Sequence, residues 1–434
     1  MTEQAHKPGA RAAFRAFQNY NYRLYWSGQV ISVTGTWMQR IAQAWLVLQI
    51  TNSPLALGTI ATVQFAPILM FSLFGGVLAD RLPKLKVLTV TQAVMAAQAL
   101  LFAVLTSTGH INLFEIYALS SVLGIASALD QPTRQAFLME MVGKDDLPNA
   151  VALNSIQFNI ARIAGPALGG FAIAAIGVAG CFYLNALSFI AVIGELLLMN
   201  QSQFHNVPPR ITGKVLPQLA EGVRYAVSTP EIALVLIVLG IVGTAGYNFT
   251  VMLPLVAKYS LHSGPGGFGL LTSAMGVGSV IAGFGVAYAR SPSHKRLFIG
   301  AGGFTVFLFL LSFANNWWYA IPVVFGVGVF SIIFSTTANT RLQLLAPPAM
   351  RGRIMSIYQL LFAGTTPIGG TGYGLLADQG GVGWATGVVS VLCAGGVIAG
   401  LAYLRLGSLH GPKEPPLSDL QVLPVERAME SRGP

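Results

Sequence analysis

Gly75-Gly76-Val77-Leu78-Ala79-Asp80-Arg81-Leu82-Pro83-Lys84-Leu85-Lys86 separates two apolar runs, residues 55–79 and 87–108. Each run is long enough for a helix across a hydrocarbon core about 30 Å thick, which takes roughly 20 residues. Asp80 and Arg81 stop the first run, and Arg81, Lys84 and Lys86 set three basic groups in the turn before the second begins. Two apolar segments joined by a short charged turn form a membrane hairpin, and the pattern recurs along the chain.

Composition agrees. Of the 434 residues, 54% are hydrophobic and 9% are Asp, Glu, Lys or Arg, whereas soluble domains carry about 25% charged residues. That supply cannot cover a water-exposed surface, so a soluble multidomain enzyme, a disordered chain and a disulfide scaffold are all excluded. The 49 glycines and 23 prolines follow no collagen-like period and fall inside apolar runs as well as between them, as in transmembrane helices. Cys181 and Cys393 lie in or beside apolar runs without metal-ligand spacing and read as small packed hydrophobes. Basic residues precede the first apolar run, as in a signal peptide. That run continues from Leu24 to about Ile50, too long for a cleaved segment, and reads as a spanning helix.

Twelve such stretches are expected, at about 24–50, 55–79, 87–108, 113–133, 148–176, 180–199, 231–257, 268–289, 297–314, 317–340, 353–377 and 383–405. The expected fold is an all-α polytopic membrane protein with two six-helix halves. It divides into an N-terminal segment (1–23), a six-helix bundle (24–199), a polar central loop (200–230), a second bundle (231–405) and a proline- and charge-rich tail (406–434) expected to be disordered.

The charges assign sides. Loops on one side, with both termini, hold 22 of the 25 basic residues; the opposite loops hold only Lys258, and Arg40 and Arg162 lie within spans. By the positive-inside rule both termini are cytoplasmic, which twelve alternating spans also require. The net charge of +10 is then topology and contact with anionic lipid, not a nucleic-acid site. The halves also repeat weakly. Thr133-Arg134, Ser155, Pro166 and Gly169 match Thr340-Arg341, Ser356, Pro367 and Gly370, with eleven residues from Ser to Pro in both copies. Parallel repeats of this kind are a transporter feature.

The order of residues around the first turn, Gly76-x-Leu78-Ala79-Asp80-Arg81 followed by basic residues, resembles the loop 2–3 signature of the major facilitator superfamily, with Pro83 for the usual glycine and Leu85 for a basic residue. Gly165-Pro166-x-x-Gly169-Gly170 in the fifth span resembles the antiporter signature of that superfamily's exporters. Asp130-x-Pro132-x-Arg134-Gln135-Ala136, then Leu147-Pro148-Asn149-Ala150 through Asn159-x-Ala161-Arg162, with Asn21-Tyr22-Arg23 and Arg351-Gly352-Arg353, is similar to the enterobactin-exporter-like branch, the transmembrane secretion effectors. The resemblance implies the major facilitator fold and export from a bacterial cytoplasmic membrane. It also implies a conformational latch built on Gly76, Asp80, Arg81 and Arg134, with Arg341 at the equivalent point of the second half.

Ionisable groups inside spans are functional candidates, because inserting each costs about 2.5–3.5 kcal/mol or more. Arg40 shares a helical face with Ser32, Thr36, Gln39 and Gln43, and Arg162 shares one with Asn154, Phe158 and Gly165. A polar stripe beside a buried charge points to a water-filled cavity; the alternative is an arginine that only ties helices together. Thr244, Tyr247, Asn248 and Met252 mark a face of the seventh span, and Ser331, Ser335 and Asn339 a face of the tenth. Glu115 and Asp130 are the candidates for proton coupling, against the plainer reading of solvated helix ends, and Glu115 is within reach of Arg40 in depth. The first span has no acid and the fourth no deep arginine, a departure from proton-coupled drug antiporters.

The expected activity is export of a small amphipathic molecule, siderophore- or drug-like and carrying negative charge, driven by protons, by a monomer without metal or cofactor. All six histidines lie in loops or tails and no Gly-x-x-x-x-Gly-Lys-Ser/Thr stretch occurs, which speaks against a membrane enzyme and against nucleotide drive. Import of a small metabolite and a non-transporting sensor remain the alternatives.

Overall fold

The computed structural model describes residues 10–205, 215–288, 292–347, 350–362 and 364–408, without the side chains of 10–13, 69, 72–81, 159, 162–163, 166–167, 215–219, 287–288 and 407–408. Gly76, Asp80, Arg81, Arg162 and Pro166 therefore lie outside the described side chains, and the expected tail from 409 onward lies outside the described residues altogether.

Helices build the whole of the described chain. A short 3-10 turn, Ala10–Gln18, leads into α1 (Tyr20–Thr51), α2 (Pro54–Arg81), α3 (Lys84–Ser107) and α4 (Leu113–Leu198). After the connecting α5 (Val215–Ser228) come α6 (Pro230–Gly246), α7 (Phe249–Leu255), α8 (Pro265–Tyr288), α9 (His294–Leu311), α10 (Trp317–Leu345), α11 (Arg351–Phe362) and α12 (Thr366–Ser408). Pro54, Pro230 and Pro265 each open a helix, where a missing N–H costs nothing. Asn112, Ser293 and Asn316 cap α4, α9 and α10 by accepting backbone N–H groups.

Most of the expected stretches fall on helix, and eight helical stretches among the described residues are by themselves long and apolar enough to cross a bilayer. Two of those, Leu113–Phe158 with 46 residues and Arg351–Leu406 with 56, exceed by more than twofold the roughly 20 residues of one crossing. The interval 134–147 reads as a loop in the sequence, but α4 stays helical on both sides of Gly143. Only Gly143 (φ 70°) and Gly177 (φ 73°) break α4 into three limbs, and Gly381 (φ 83°) breaks α12 into two; the left-handed φ turns the chain at the ends of the limbs. The central loop likewise contains a helix, α5, tied to α11 by Glu221–Arg353 at 2.8 Å. The N-terminal segment is docked rather than loose: Ala16 N–H donates to Asn149 Oδ1 (2.9 Å) and Arg15 pairs with Asp146 (2.7 Å).

Two discontinuities depart from the expected spans. The seventh stretch, 231–257, is interrupted at Tyr247-Asn248 between α6 and α7 and ends in a π-turn, Val256–Ser260. The eleventh is interrupted between α11 and α12. The two interruptions adjoin, with the rings of Tyr247 and Phe362 4.9 Å apart.

The halves, α1–α4 and α6–α12, meet through α2 against α12 and through the middle limb of α4 against α8. Both crossings are close glycine contacts. A Cβ on Gly58 would stand 2.5 Å from Gly370 O, and one on Gly170 would stand 2.9 Å from Gly269 Cα.

Candidate functional site

The halves are joined at one end. Lys258 donates to Leu48 O and to Asn52 Oδ1 (2.7 Å), and Tyr259 OH to Asn52 O (2.6 Å). Thr62 Oγ1 donates to Pro367 O (2.9 Å), with Thr371 Oγ1 at 2.6 Å, and Ser53 reaches Asp378 at 3.4 Å. Near the other end the described ion pairs each stay on one side: Arg15–Asp146, Lys84–Glu140 and Arg134–Asp130 in the first half; Arg341–Glu231 and Arg353–Glu221 in the second half with α5.

Between the halves lies a partly open cavity. Its walls are Arg40, Gln43 and Ala44 of α1; Leu57, Ile60, Ala61, Gln64 and Phe65 of α2; and Thr250 and Val251 of α7. Helix α1 falls short of the hydropathy of a lone spanning helix because it carries Asn21, Gln29, Ser32, Gln39 and Gln43, all buried against protein, besides Arg40. Its polarity is spent inside the protein.

Arg40 is held from one side only. Its guanidinium lies over the Trp37 ring, 4.6 Å from the centroid, and Trp37 in turn meets Phe158 edge-on at 6.1 Å. Gly165 makes room for Trp37, since a Cβ there would stand 2.5 Å from Trp37 Cβ. Among the described residues the buried Arg40 Nε has no hydrogen-bond partner and no ion pair reaches Arg40. The Arg40–Glu115 pairing that their depths allowed does not form. Glu115 Oε2 accepts the Asn112 N–H (2.6 Å) while Asn112 Oδ1 accepts the Glu115 N–H (3.3 Å), a capping box that fixes the carboxylate at the start of α4.

The expected cavity residues separate into three groups. Arg40 and Gln43 reach the wall. Gln39 does not; it bridges Asn185 (2.6 Å) and Gln98 (3.3 Å) in the interior of the first half. Thr36 bonds back to Ser32 O (2.9 Å), and Asn154 Oδ1 accepts from Tyr22 OH (3.0 Å) toward the unjoined end. Phe158 touches the site only through Trp37. In the second half Tyr247 donates to Ser331 O (2.6 Å) amid Phe249, Phe304, Phe334 and Phe362. Asn248 donates to Thr244 O (2.8 Å) against Gly369, and Asn339 accepts from Gln343 (2.6 Å).

Asp130 is buried and saturated. Arg134 pairs with it on the same helix, and Thr91 (2.8 Å) and Gln92 (2.9 Å) donate to it from α3. Arg341 binds Glu231 (2.6 Å) and Pro292 O (3.2 Å). Arg134 thus bonds within its own helix, and Arg341 ties α10 to α6 within the second half. Gly169 packs on Met38 and Ile41 of α1, so the fifth-span glycines serve close approach to α1 and α8.

The sequence pattern does not single out Gln64, Thr250 or Glu195. Gln64 is the one amide in the 55–79 run, a signal of the kind that marks Gln43. Glu195 lies beside α1, where a Cβ on Gly28 would collide with its Oε2 and the Gly28 backbone donates to its carboxylate; nothing in the spacing of Glu195 marks the glycine opposite. Among the described residues no cluster of three His, Cys, Asp or Glu side chains suits a metal.

A family model described as "Transmembrane secretion effector" matches residues 11–432. The chain is 25% identical to the "Staphyloferrin A transporter" of Staphylococcus aureus, covering 83% of this chain and 90% of that protein. It is 25% identical to the "Enterobactin exporter EntS" of Citrobacter koseri (91% and 94% covered) and 25% identical to the "Multidrug efflux pump Tap" of Mycolicibacterium fortuitum (79% and 85%). Among solved structures, the fold matches a POT family transporter in complex with 5-aminolevulinic acid at a TM-score of 0.70 and 13% identity, over 89% of this chain and 96% of that one. It also matches a bacterial homolog of the human lysosomal transporter Spinster, inward-facing and unoccupied, at a TM-score of 0.63 and 12% identity, over 90% and 96%. With a family model spanning nearly the whole chain and that family's fold beneath it, this protein belongs to the transmembrane secretion effectors of the major facilitator superfamily.

Proposed function

We propose that the chain is a twelve-span secondary transporter of a bacterial cytoplasmic membrane, with both termini inside, that exports a small amphipathic anion, siderophore- or drug-like, by alternating access. One observation carries this reading. The cavity between the halves holds an arginine that no ion pair reaches among the described residues, and beyond it Lys258 and Tyr259 tie the second half to the end of α1. With the basic loops inside, the joined end is external and the cavity faces the cytoplasm, the state in which an exporter loads. The relatives' names, a staphyloferrin A transporter, enterobactin exporters and a multidrug pump, support export as the direction.

Proton drive is part of the proposal. Of the acids, Glu115 serves the α4 cap and Asp130 neutralises Arg134, so protonating either would break a contact already made. Glu195, with no ion pair among the described residues, gives up on protonation only the bond it accepts from the Gly28 backbone. It therefore stands ahead of the other two as the coupling carboxyl, and the functional unit is a monomer.

The test is uptake into inside-out proteoliposomes under an imposed pH gradient, with siderophores and drugs as candidate cargo. Arg40→Met is expected to abolish flux of anionic cargo, and Glu195→Gln to uncouple flux from the gradient while leaving exchange of cargo for cargo. Flux in the opposite sense would make the protein an importer. Absence of protein-dependent flux for every compound would leave the sensor reading.

A further inference from the structure

Gly28 and Gly35 are seven residues apart on α1 and so share one face of the helix. Both meet the third limb of α4. A Cβ on Gly35 would stand 2.6 Å from Asn185 Oδ1 and 3.0 Å from Ser188 Oγ; one on Gly28 would stand 1.6 Å from Glu195 Oε2 and 2.4 Å from its Cδ. The limb thus fills two notches in α1. The notch at Gly35 holds neutral groups already bonded to one another: Asn185 donates to Gln39 Oε1 (2.6 Å) and Ser188 to Asn185 O (2.7 Å). The notch at Gly28 holds a carboxyl that accepts a bond from the Gly28 backbone. The helix itself does not call for glycine there, since Gly28 has no left-handed φ and alanine is the better helix former. What the bare Cα admits is the carboxyl.

The charged groups on the surrounding elements are engaged elsewhere. Arg134 pairs with Asp130 and lies 6.0 Å from the ring of Tyr25, one turn before Gly28; Lys84 pairs with Glu140 and Arg15 with Asp146. Arg23 of α1, Lys86 of α3, and Lys144 and Asp145 of α4 are exposed. Among the described residues no ion pair reaches Glu195.

We propose that Gly28 is a positioning residue for proton coupling: its missing side chain seats the Glu195 carboxyl on the backbone of α1, so that a proton gained or lost there acts on that helix. With Glu195 ionised, the bond from Gly28 holds α1 to the third limb. When the carboxyl takes a proton from water the accepted bond is given up and α1 is loosened. The same helix carries Arg40 in the cavity wall and Leu48, whose carbonyl takes Lys258 from the other half. The inference rests on reading Glu195 as the coupling carboxyl and adds the surface against which it works.

Gly28→Ala suits the test, because the atoms it displaces are the end of a flexible side chain and the carboxyl can swing aside. Hydrogen–deuterium exchange of the full chain in lipid nanodiscs, corrected for the intrinsic rate at each pH, reads the protection of the α1 amides around Gly28 without any cargo. Between about pH 8 and about pH 5 the wild type is expected to lose protection by about tenfold, the size of one hydrogen bond to a charged group. Protection should be independent of pH in Glu195→Gln, and low at both pH values in Gly28→Ala. Gly35→Ala, which disturbs the same helix contact at the neutral notch, should keep the fall. A fall retained in Gly28→Ala overturns the positioning role and leaves Glu195 as the coupling carboxyl. A fall retained in Glu195→Gln belongs to another group and overturns that reading together with the inference. Unchanged protection in the wild type overturns the inference, and the flux of Glu195→Gln then decides the reading by itself.

Discussion

Arg40 is legible in the sequence as an arginine inside an apolar run, but its setting is not. Spacing shows that Gln39 and Gln43 share its side of the helix; only the structure shows that one turns to Asn185 and Gln98 while the other turns to Ser120 and the cavity. The difference of direction depends on which neighbouring helix packs where, and no pattern within α1 encodes it. Nothing in the run marks Trp37 either, although it does most to hold the guanidinium. A cation over an aromatic face is worth about 0.5–2 kcal/mol, more when water is excluded. Trp37→Ala is therefore expected to weaken binding of an anionic ligand by roughly 2- to 30-fold, because Arg40 is no longer held over the site. Trp37→Phe should recover most of that loss. Ligand titrations on the two variants in nanodiscs check it, and equal affinities for both would remove Trp37 from the site.

Among the elements, the apolar runs and their bounding charges place the helices within a few residues, because removing apolar side chains from water dominates the free energy of insertion into a bilayer. Hydropathy cannot show where a helix continues into water, so the interval after Arg134 reads as a loop and is in fact helix up to Gly143 and beyond. Nor does it mark the interruption at Tyr247-Asn248, where Asn248 bonds back to Thr244 and Ala245 carbonyls and Gly369 leaves space for it. Glu115 illustrates the opposite error. An acid near a span looks chemical, while its position three residues after Asn112 is a cap signature. Asn112→Ala should accordingly lower stability by about 0.5–2 kcal/mol, read as a fall in the thermal midpoint, with transport per folded molecule unchanged. A loss of coupling in Asn112→Ala at unaltered stability would return Glu115 to the mechanism.

At the α4–α8 crossing, contact decides rather than propensity. Gly170→Leu places a branched side chain where even a Cβ would lie 2.9 Å from Gly269 Cα and 3.0 Å from Pro265 O. The two halves cannot then close as described at this point. The variant is expected to lose transport. A thiol-reactive dye should react faster with Tyr259→Cys in that background than in the wild-type background, because Tyr259 sits in the joined end through its bond to Asn52.

Taken as a whole, the molecule has two matching seams, α2 against α12 and the middle limb of α4 against α8, as the weak repeat of the two halves anticipates. Each seam is hydrogen-bonded or glycine-tight at one end, and near the opposite end the described ion pairs bind each half to itself. Alternating access requires that the joined end open while the cavity closes toward the other side. A bond across α2–α12 at the joined end should then block the cycle in the present state. Thr62 and Thr371, whose hydroxyl oxygens are 2.6 Å apart across the seam, are the positions at which to place a cysteine pair. In the double variant Thr62→Cys/Thr371→Cys, oxidation should abolish transport and reduction restore it, while ligand binding from the basic-loop side persists in both. The two native cysteines, Cys181 and Cys393, are buried and free, so they interfere little with the pairing. Transport that continues at full rate with the disulfide formed would mean that this seam does not open in the cycle, and the rocking of two rigid halves would have to be given up for a movement confined to the discontinuous helices around Tyr247 and Phe362.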